Sequence, residues 1–149
     1  MKKSLLTIVT TASLLVLSSG MAFAMETWDC SYKGTWTDKG DKEGSAFTWV
    51  MKWKNTDEKK DLWSVEGKYK DEDGEANIKG TCTGESCIFE QLYTSGKWKN
   101  ETYYFIGKYN DKESKTGVES SFKGTWGNSA DNRTDGGGWE AKALCKEAE

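Results

Sequence analysis

Trp28-Asp29-Cys30-Ser31-Tyr32-Lys33-Gly34-Thr35-Trp36 alternates without a break: each even-numbered residue is apolar, sulfur-bearing or glycine, and each odd-numbered one is polar. A period of two with one wet face is the mark of a β-strand on the surface of a core. The second half of the stretch is echoed down the chain as apolar-x-Gly-x-aromatic or Cys, for example Val65-Glu66-Gly67-Lys68-Tyr69 and Phe122-Lys123-Gly124-Thr125-Trp126.

Working outward from it, seven more segments alternate in the same way, and their register assigns each an inward face. The second, about residues 45 to 54, turns in Phe47, Trp49, Met51 and Trp53. The third, about 61 to 70, turns in Trp63, Val65, Gly67 and Tyr69, and the fourth, about 75 to 83, Ala76, Ile78, Gly80 and Cys82. The fifth contributes Cys87, Phe89, Gln91 and Tyr93, and the sixth Tyr103, Phe105, Gly107 and Tyr109. The seventh offers Val118, Ser120, Phe122, Gly124 and Trp126, and the eighth Gly137, Trp139, Ala141, Ala143 and Cys145. The opposite faces carry lysines such as Lys33, Lys52, Lys68, Lys108 and Lys123. A membrane barrel would be apolar outside and polar inside, the reverse of this pattern. Short polar turns, the absence of proline and an inward glycine in six of the eight segments predict an all-β, eight-stranded antiparallel up-and-down barrel, with the glycines at its corners.

The first 24 residues read as an export signal: Lys2 and Lys3, an apolar run from Leu5 to Leu17, and the small-x-small site Ala22-Phe23-Ala24. Residues 25–149 are then a single domain, soluble and delivered to the periplasm or the exterior. Setting Lys2 and Lys3 aside, the 21 basic residues fall to 19 against 24 acidic ones, a net charge of -5, which speaks against nucleic acid or an anionic membrane as partner. Cys30, Cys82, Cys87 and Cys145 all lie in this exported part, and an even count in an oxidising compartment reads as two disulfides. Three pairings exist. If the eighth strand closes against the first, Cys145 meets Cys30 and Cys82 faces Cys87 across a hairpin.

Histidine is absent, which removes histidine-activated nucleophiles, proton shuttles and metal ligands together. With the strands bounded as above, no inward position carries Asp or Glu, so the expectation is a protein that is not an enzyme and uses no cofactor and no metal. The loops sharing one barrel end hold many carboxylates, among them Asp38, Asp71, Glu72 and Asp73, and read either as an acidic mouth or as solvated turns. Asp71-Glu72-Asp73-Gly74 lacks the further ligands of a calcium loop and reads as a hairpin turn. The inward aromatics fit two pictures, a ligand cavity and a solid core. In the first, inward aromatics such as Trp36, Trp49, Trp53, Trp63, Tyr69, Tyr93, Tyr103, Phe105, Phe122, Trp126 and Trp139 form the wall, and Gln91 and Ser120 inside, with Asp38, Ser45 and Asp71 at the rim, orient a small apolar, aromatic or sugar-like ligand. In the second, the protein acts through its loops or outer face as an inhibitor or interaction partner. Outside, Ile88 and Leu92 neighbour Tyr104 and Ile106, either as an association surface for a homo-oligomer or as a strip beneath an overhanging loop.

Cys30-Ser31-Tyr32-Lys33-Gly34-Thr35-Trp36-Thr37-Asp38 resembles the first strand of the avidins, within the calycin group of barrels. Gly44-Ser45-Ala46-Phe47 is similar to the start of their second strand, and Gly67-Lys68-Tyr69, Gly107-Lys108-Tyr109 and Gly138-Trp139-Glu140-Ala141-Lys142 to later ones. The resemblance implies a ligand at the barrel mouth and assembly through outer barrel faces. Avidins hold the ureido oxygen of biotin with Asn, Ser and Tyr at positions matched in this chain by Asp38, Ser45 and Tyr69. Asp38 offers an acceptor where the family offers an amide donor. Glu101 and Tyr103 fall where small hydroxyl residues are expected, and Glu147 is the carboxylate nearest the C-terminal Asp position, so the resemblance implies a related pocket with another ligand.

Overall fold

The computed structural model describes residues 26–149, and the export-signal reading of residues 1–24 lies outside them. Eight strands follow one another: β1 (Thr27–Asp38), β2 (Ser45–Asp57), β3 (Leu62–Asp71), β4 (Glu75–Thr83), β5 (Ser86–Tyr93), β6 (Thr102–Ser114), β7 (Gly117–Gly127) and β8 (Gly137–Glu147). Each pairs antiparallel with its neighbours in sequence, and β8 pairs with β1, so the sheet closes on itself in up-and-down order. The only helical element among the described residues is a single 3-10 turn, Glu58–Lys60, between β2 and β3; Asp57 caps it by accepting from the backbone N–H groups of Lys59 and Lys60.

Register follows from the alternation. Cys30 lies opposite Cys145 across the β1–β8 seam, and Cys82 opposite Cys87 across the β4–β5 hairpin. Both pairs are disulfides, with Cα atoms 4.2 and 4.1 Å apart. Two disulfides are compatible with an exported protein.

The middle of the barrel is filled. Trp49 has no exposed surface, and its ring lies 4.9 Å from those of Phe47 and Trp139, 5.5 Å from Phe89 and 6.0 Å from Phe105. Such tilted and edge-on pairs each contribute about 0.5–1.5 kcal/mol beyond the area they bury. Glycine makes the room: a Cβ on Gly107 would come within 2.6 Å of the Trp139 ring, and one on Gly34 within 2.6 Å of the Phe47 ring. The plug of aromatics at mid-height separates two hollows, one at each end.

β6 runs further than its apolar residues indicate. Asp111 pairs with Ser120 and Glu113 with Val118, so these two carboxylates share the inward face. The expectation that no inward strand position carries a carboxylate is corrected on this point. Once past the core, a strand needs no apolar side chains to continue pairing.

Candidate functional site

The end at which β1 finishes, the mouth, gathers the β1–β2, β3–β4, β5–β6 and β7–β8 connections. Inside it is an open pocket of about 230 Å³, lined by Trp36, Tyr69, Tyr93, Trp98, Tyr103, Phe105 and Trp126 with three polar residues, Asp38, Gln91 and Asn128. The strands supply the deep walls, since Tyr69, Gln91, Tyr93, Tyr103 and Phe105 alternate inward from β3, β5 and β6. Edge-to-face contacts fix the rim: Trp36 against Trp126 at 5.9 Å, Trp126 against Tyr103 at 5.6 Å, and Tyr103 against Tyr93 and Trp98 at 5.9 and 6.4 Å. Trp126 is held further by its indole N–H, which donates to the Thr37 carbonyl at 3.1 Å.

Asp71 organises the walls without entering the pocket. One of its oxygens accepts from the hydroxyls of Tyr69 (2.7 Å) and Tyr93 (2.6 Å), and the other from the backbone N–H groups of Asp73 and Gly74. One carboxylate thus forms the hairpin turn and orients two pocket phenols. Burial first, and then the neighbouring phenol and this carboxylate, hold the Tyr69 hydroxyl well above the usual tyrosine range; burial and Asp71 do the same for Tyr93. Both phenols stay protonated and spend their one donor on Asp71.

The next loop is bound to this hairpin. Asp73 accepts from the Trp98 indole N–H at 3.0 Å, and the Lys97 backbone N–H donates to the Asp73 carbonyl at 2.9 Å. Thr94 and Ser95 bond the Glu75 backbone, and Gly96, at φ +81°, lies so close to Asp73 that a side chain there would strike its carbonyl. Trp98 is thereby brought to the pocket from a loop.

Two buried polar atoms at this site are unpaired. The Trp36 indole N–H has no acceptor among the described residues, and Gln91 Oε1, on a side chain that is 1% exposed, has no donor. Buried polar groups are normally paired, and one left without a partner costs about 1–3 kcal/mol. A donor and an acceptor thus stand unsatisfied in the lining of an aromatic pocket.

Of the residues expected at the site, Trp36, Asp38, Tyr69, Gln91, Tyr103 and Trp126 come together there. Three do not, each for a physical reason. Trp49 is the mid-barrel plug, Asp71 spends its oxygens on the walls, and the Ser45 hydroxyl donates to Glu72 at 2.6 Å. The hydroxyls of Ser45 and Tyr69 therefore already have acceptors. Tyr93 and Phe105, legible as inward aromatics of the wall, also line it; Trp98 and Asn128 lie in loops, where alternation has no reach. Of the mouth carboxylates, Asp71, Glu72, Asp73 and Glu75 are engaged by phenol, hydroxyl, indole and Lys70, and Asp38 is the carboxylate in the pocket lining; after burial, the charges of Glu101, Asp73, Asp38 and Asp71 hold the Tyr103 phenol above its ordinary range.

On the outer face Ile88 lies opposite Ile106, and both are exposed, as is Leu92. Tyr104 is partly covered by Arg133 from the β7–β8 loop, whose guanidinium sits 5.2 Å from the ring and donates to the Phe89 carbonyl at 2.9 Å. Among the described residues no group of three His, Cys, Asp or Glu is placed to hold a metal ion. No family model matches the chain, and comparison with curated proteins and with solved structures gives no match.

Proposed function

We propose that this chain is an exported, non-catalytic binding protein that takes a compact, flat, uncharged molecule, aromatic or sugar-like, into the mouth pocket. The observation that carries the reading is the pair of unsatisfied groups, Trp36 N–H and Gln91 Oε1, in the lining of an otherwise aromatic cavity. A ligand offering one acceptor and one donor relieves both, while stacking on Trp126, Tyr103 and Trp98 supplies most of the affinity. About 230 Å³ is the share of roughly eight water molecules in the liquid, which sets the ligand below drug size. The avidin resemblance enters this proposal as a barrel with its ligand at the mouth. Asp38 and the engaged hydroxyls of Ser45 and Tyr69 favour a ligand other than biotin.

Native mass spectrometry of the protein purified from its own host tests the reading. The expected result is a mass excess that disappears on denaturation and is absent from Trp36→Phe combined with Gln91→Leu. A bare mass, with no change in tryptophan emission across a panel of small aromatic and sugar ligands, would count against it.

The exposed Ile88, Ile106 and Leu92 favour a second reading, self-association through β5 and β6. Sedimentation of the wild type and of Ile106→Glu decides it: a concentration-dependent dimer in the first and a monomer in the second.

A further inference from the structure

The hollow at the opposite end of the barrel is a different kind of space. It measures about 360 Å³ and lies between the aromatic rings of Trp28, Trp53, Trp63 and Tyr109, with the Cys30–Cys145 disulfide and Tyr32 at its inner side. Asp61, Glu85, Asp111 and Glu113 stand around it, and no Lys or Arg is in its lining. None of these four carboxylates is ion-paired with a described residue. Asp61 accepts from the Trp63 indole N–H at 2.9 Å, which fixes that ring beside a carboxylate. Trp28 is held in the same way by Glu26 at 2.7 Å.

A count of carboxylates alone would not make this a site. The aromatic wall adds to it. Trp53 is 6% exposed, lines the hollow, and has an indole N–H with no acceptor among the described residues. In addition, the charge converges on the aromatic wall: burial first, then Asp61, Asp111 and Glu85, push the Tyr109 phenol up to about 12, and burial also raises the Asp111 carboxyl above its ordinary range. Of the four, Asp111 is the one whose burial resists its charge, and none is ion-paired with a Lys or Arg among the described residues.

We propose that this hollow is a second binding site, separate from the mouth, for a small organic cation: an ammonium group among the rings of Trp28, Trp53, Trp63 and Tyr109, neutralised by Asp111 and Glu113, with an acceptor on the same molecule for the Trp53 N–H. Ring faces attract such a cation through their quadrupoles, most strongly where water is partly excluded, and the carboxylates add Coulomb attraction. A hard metal ion is less suited, because it requires several oxygens converging at about 2.0–2.6 Å, and the lining is largely aromatic.

Choline and its uncharged carbon isostere, 3,3-dimethylbutan-1-ol, are the probes, titrated into the oxidised full-length mature chain by calorimetry and tryptophan fluorescence. The expected result is a saturable response to choline and one at least tenfold weaker to the alcohol. Asp111→Asn with Glu113→Gln should weaken choline about tenfold. Glu119→Gln, which removes a charge from the outside of the adjacent strand, should not. Asp111→Asn keeps an acceptor for the neighbouring Ser120 hydroxyl, and the comparison of the two probes needs no variant at all. Absence of saturation by choline, equal binding of the alcohol, or full affinity in the double variant would each overturn the proposal.

Discussion

The two ends of this barrel hold carboxylates in comparable number and use them in opposite ways. At the mouth Asp71 and Asp73 accept from two phenols, an indole and backbone N–H groups, and so lock the β3–β4 hairpin to the β5–β6 loop. At the other end Glu85, Asp111 and Glu113 stand around a hollow without a cationic partner among the described residues, and both disulfides lie near that end, one closing the β1–β8 seam and one the β4–β5 hairpin. One end is tied by hydrogen bonds and the other by sulfur. The difference teaches that a carboxylate count does not tell what the charges do: where several phenol, indole and backbone donors converge on one carboxylate it is a structural brace as well as a charge, and where they do not, its charge is left to face the hollow.

Cutting each brace in turn tests the contrast. The largest effect is expected from Cys30→Ala with Cys145→Ala. The bridge spans 115 residues, and its loss releases about 5 kcal/mol of chain entropy in the unfolded state, against about 2 kcal/mol for the Cys82–Cys87 bridge, which spans 5. Thermal unfolding of the two double variants measures the gap. Equal losses would mean that the seam is held mainly by its ladder and by Tyr32, whose ring packs on Trp49 and Phe122.

Asp71→Ala comes next, at about 3 kcal/mol, because it leaves two buried tyrosines and a turn without their acceptor. Its sharper signature is local. Hydrogen exchange should quicken over residues 71–75 and 94–101 while the β1–β8 seam stays protected, and binding in the mouth pocket should weaken as Tyr69, Tyr93 and Trp98 lose their orientation. If protection falls uniformly, Asp71 is a general stabiliser and not a brace of one end.

The fold was legible because alternation is carried by residues that meet the core: Trp28 to Trp36 and its echoes set the strand register, and with the barrel closed that register brings Cys30 to Cys145. Legibility faded where side chains stop meeting the core. Asn110-Asp111-Lys112-Glu113 has no apolar residue and looks like a turn, yet it pairs with Ser121-Ser120-Glu119-Val118 as regular strand. Trp98 sits among Ser95, Gly96, Lys97, Lys99 and Asn100, so nothing in its neighbours indicates that Asp73 draws it to the pocket. Asp71 was expected at the site, but its role depends on two tyrosines that arrive from β3 and β5, one of them 22 residues away. Pairwise donors and acceptors across a closed sheet are a product of topology, and a linear reading sees them only after the barrel has been drawn.

Alkali provides a graded comparison of the two ends. The phenols of Tyr32, Tyr69 and Tyr93 are held above the ordinary tyrosine range chiefly by burial, and Tyr109 is pushed up to about 12. A phenol whose folded-state value exceeds its unfolded one, near 10, adds stability that is complete below that pH and is lost as the pH rises beyond it. Stability should therefore be flat at neutral pH and decline from about pH 10 upward, with tyrosinate absorbance from Tyr109 rising before that of the phenols bonded to Asp71. Tyr109→Phe should flatten part of the decline between about pH 10 and pH 12. An unchanged profile in that variant would show that the charge around the lower hollow does not reach its aromatic wall.

The smallest expected effect concerns the strap that bears on the mouth from outside. The Arg133 guanidinium donates to the Phe89 and Phe105 carbonyls at 2.9 and 3.4 Å and lies over Tyr104, and in this way the β7–β8 loop is held against β5 and β6. The same loop carries Asn128 into the pocket lining. Arg133→Met keeps much of the aliphatic packing and removes the hydrogen bonds, which is worth about 1 kcal/mol at a partly buried position. Global melting should therefore fall by only about 3–5 °C, while exchange over residues 127–136 quickens and the off-rate of a mouth ligand rises a few-fold. A melting loss as large as that of Asp71→Ala would place the strap level with the inner brace. It would mean that the mouth is held from outside the barrel by a cation as firmly as from within by a carboxylate.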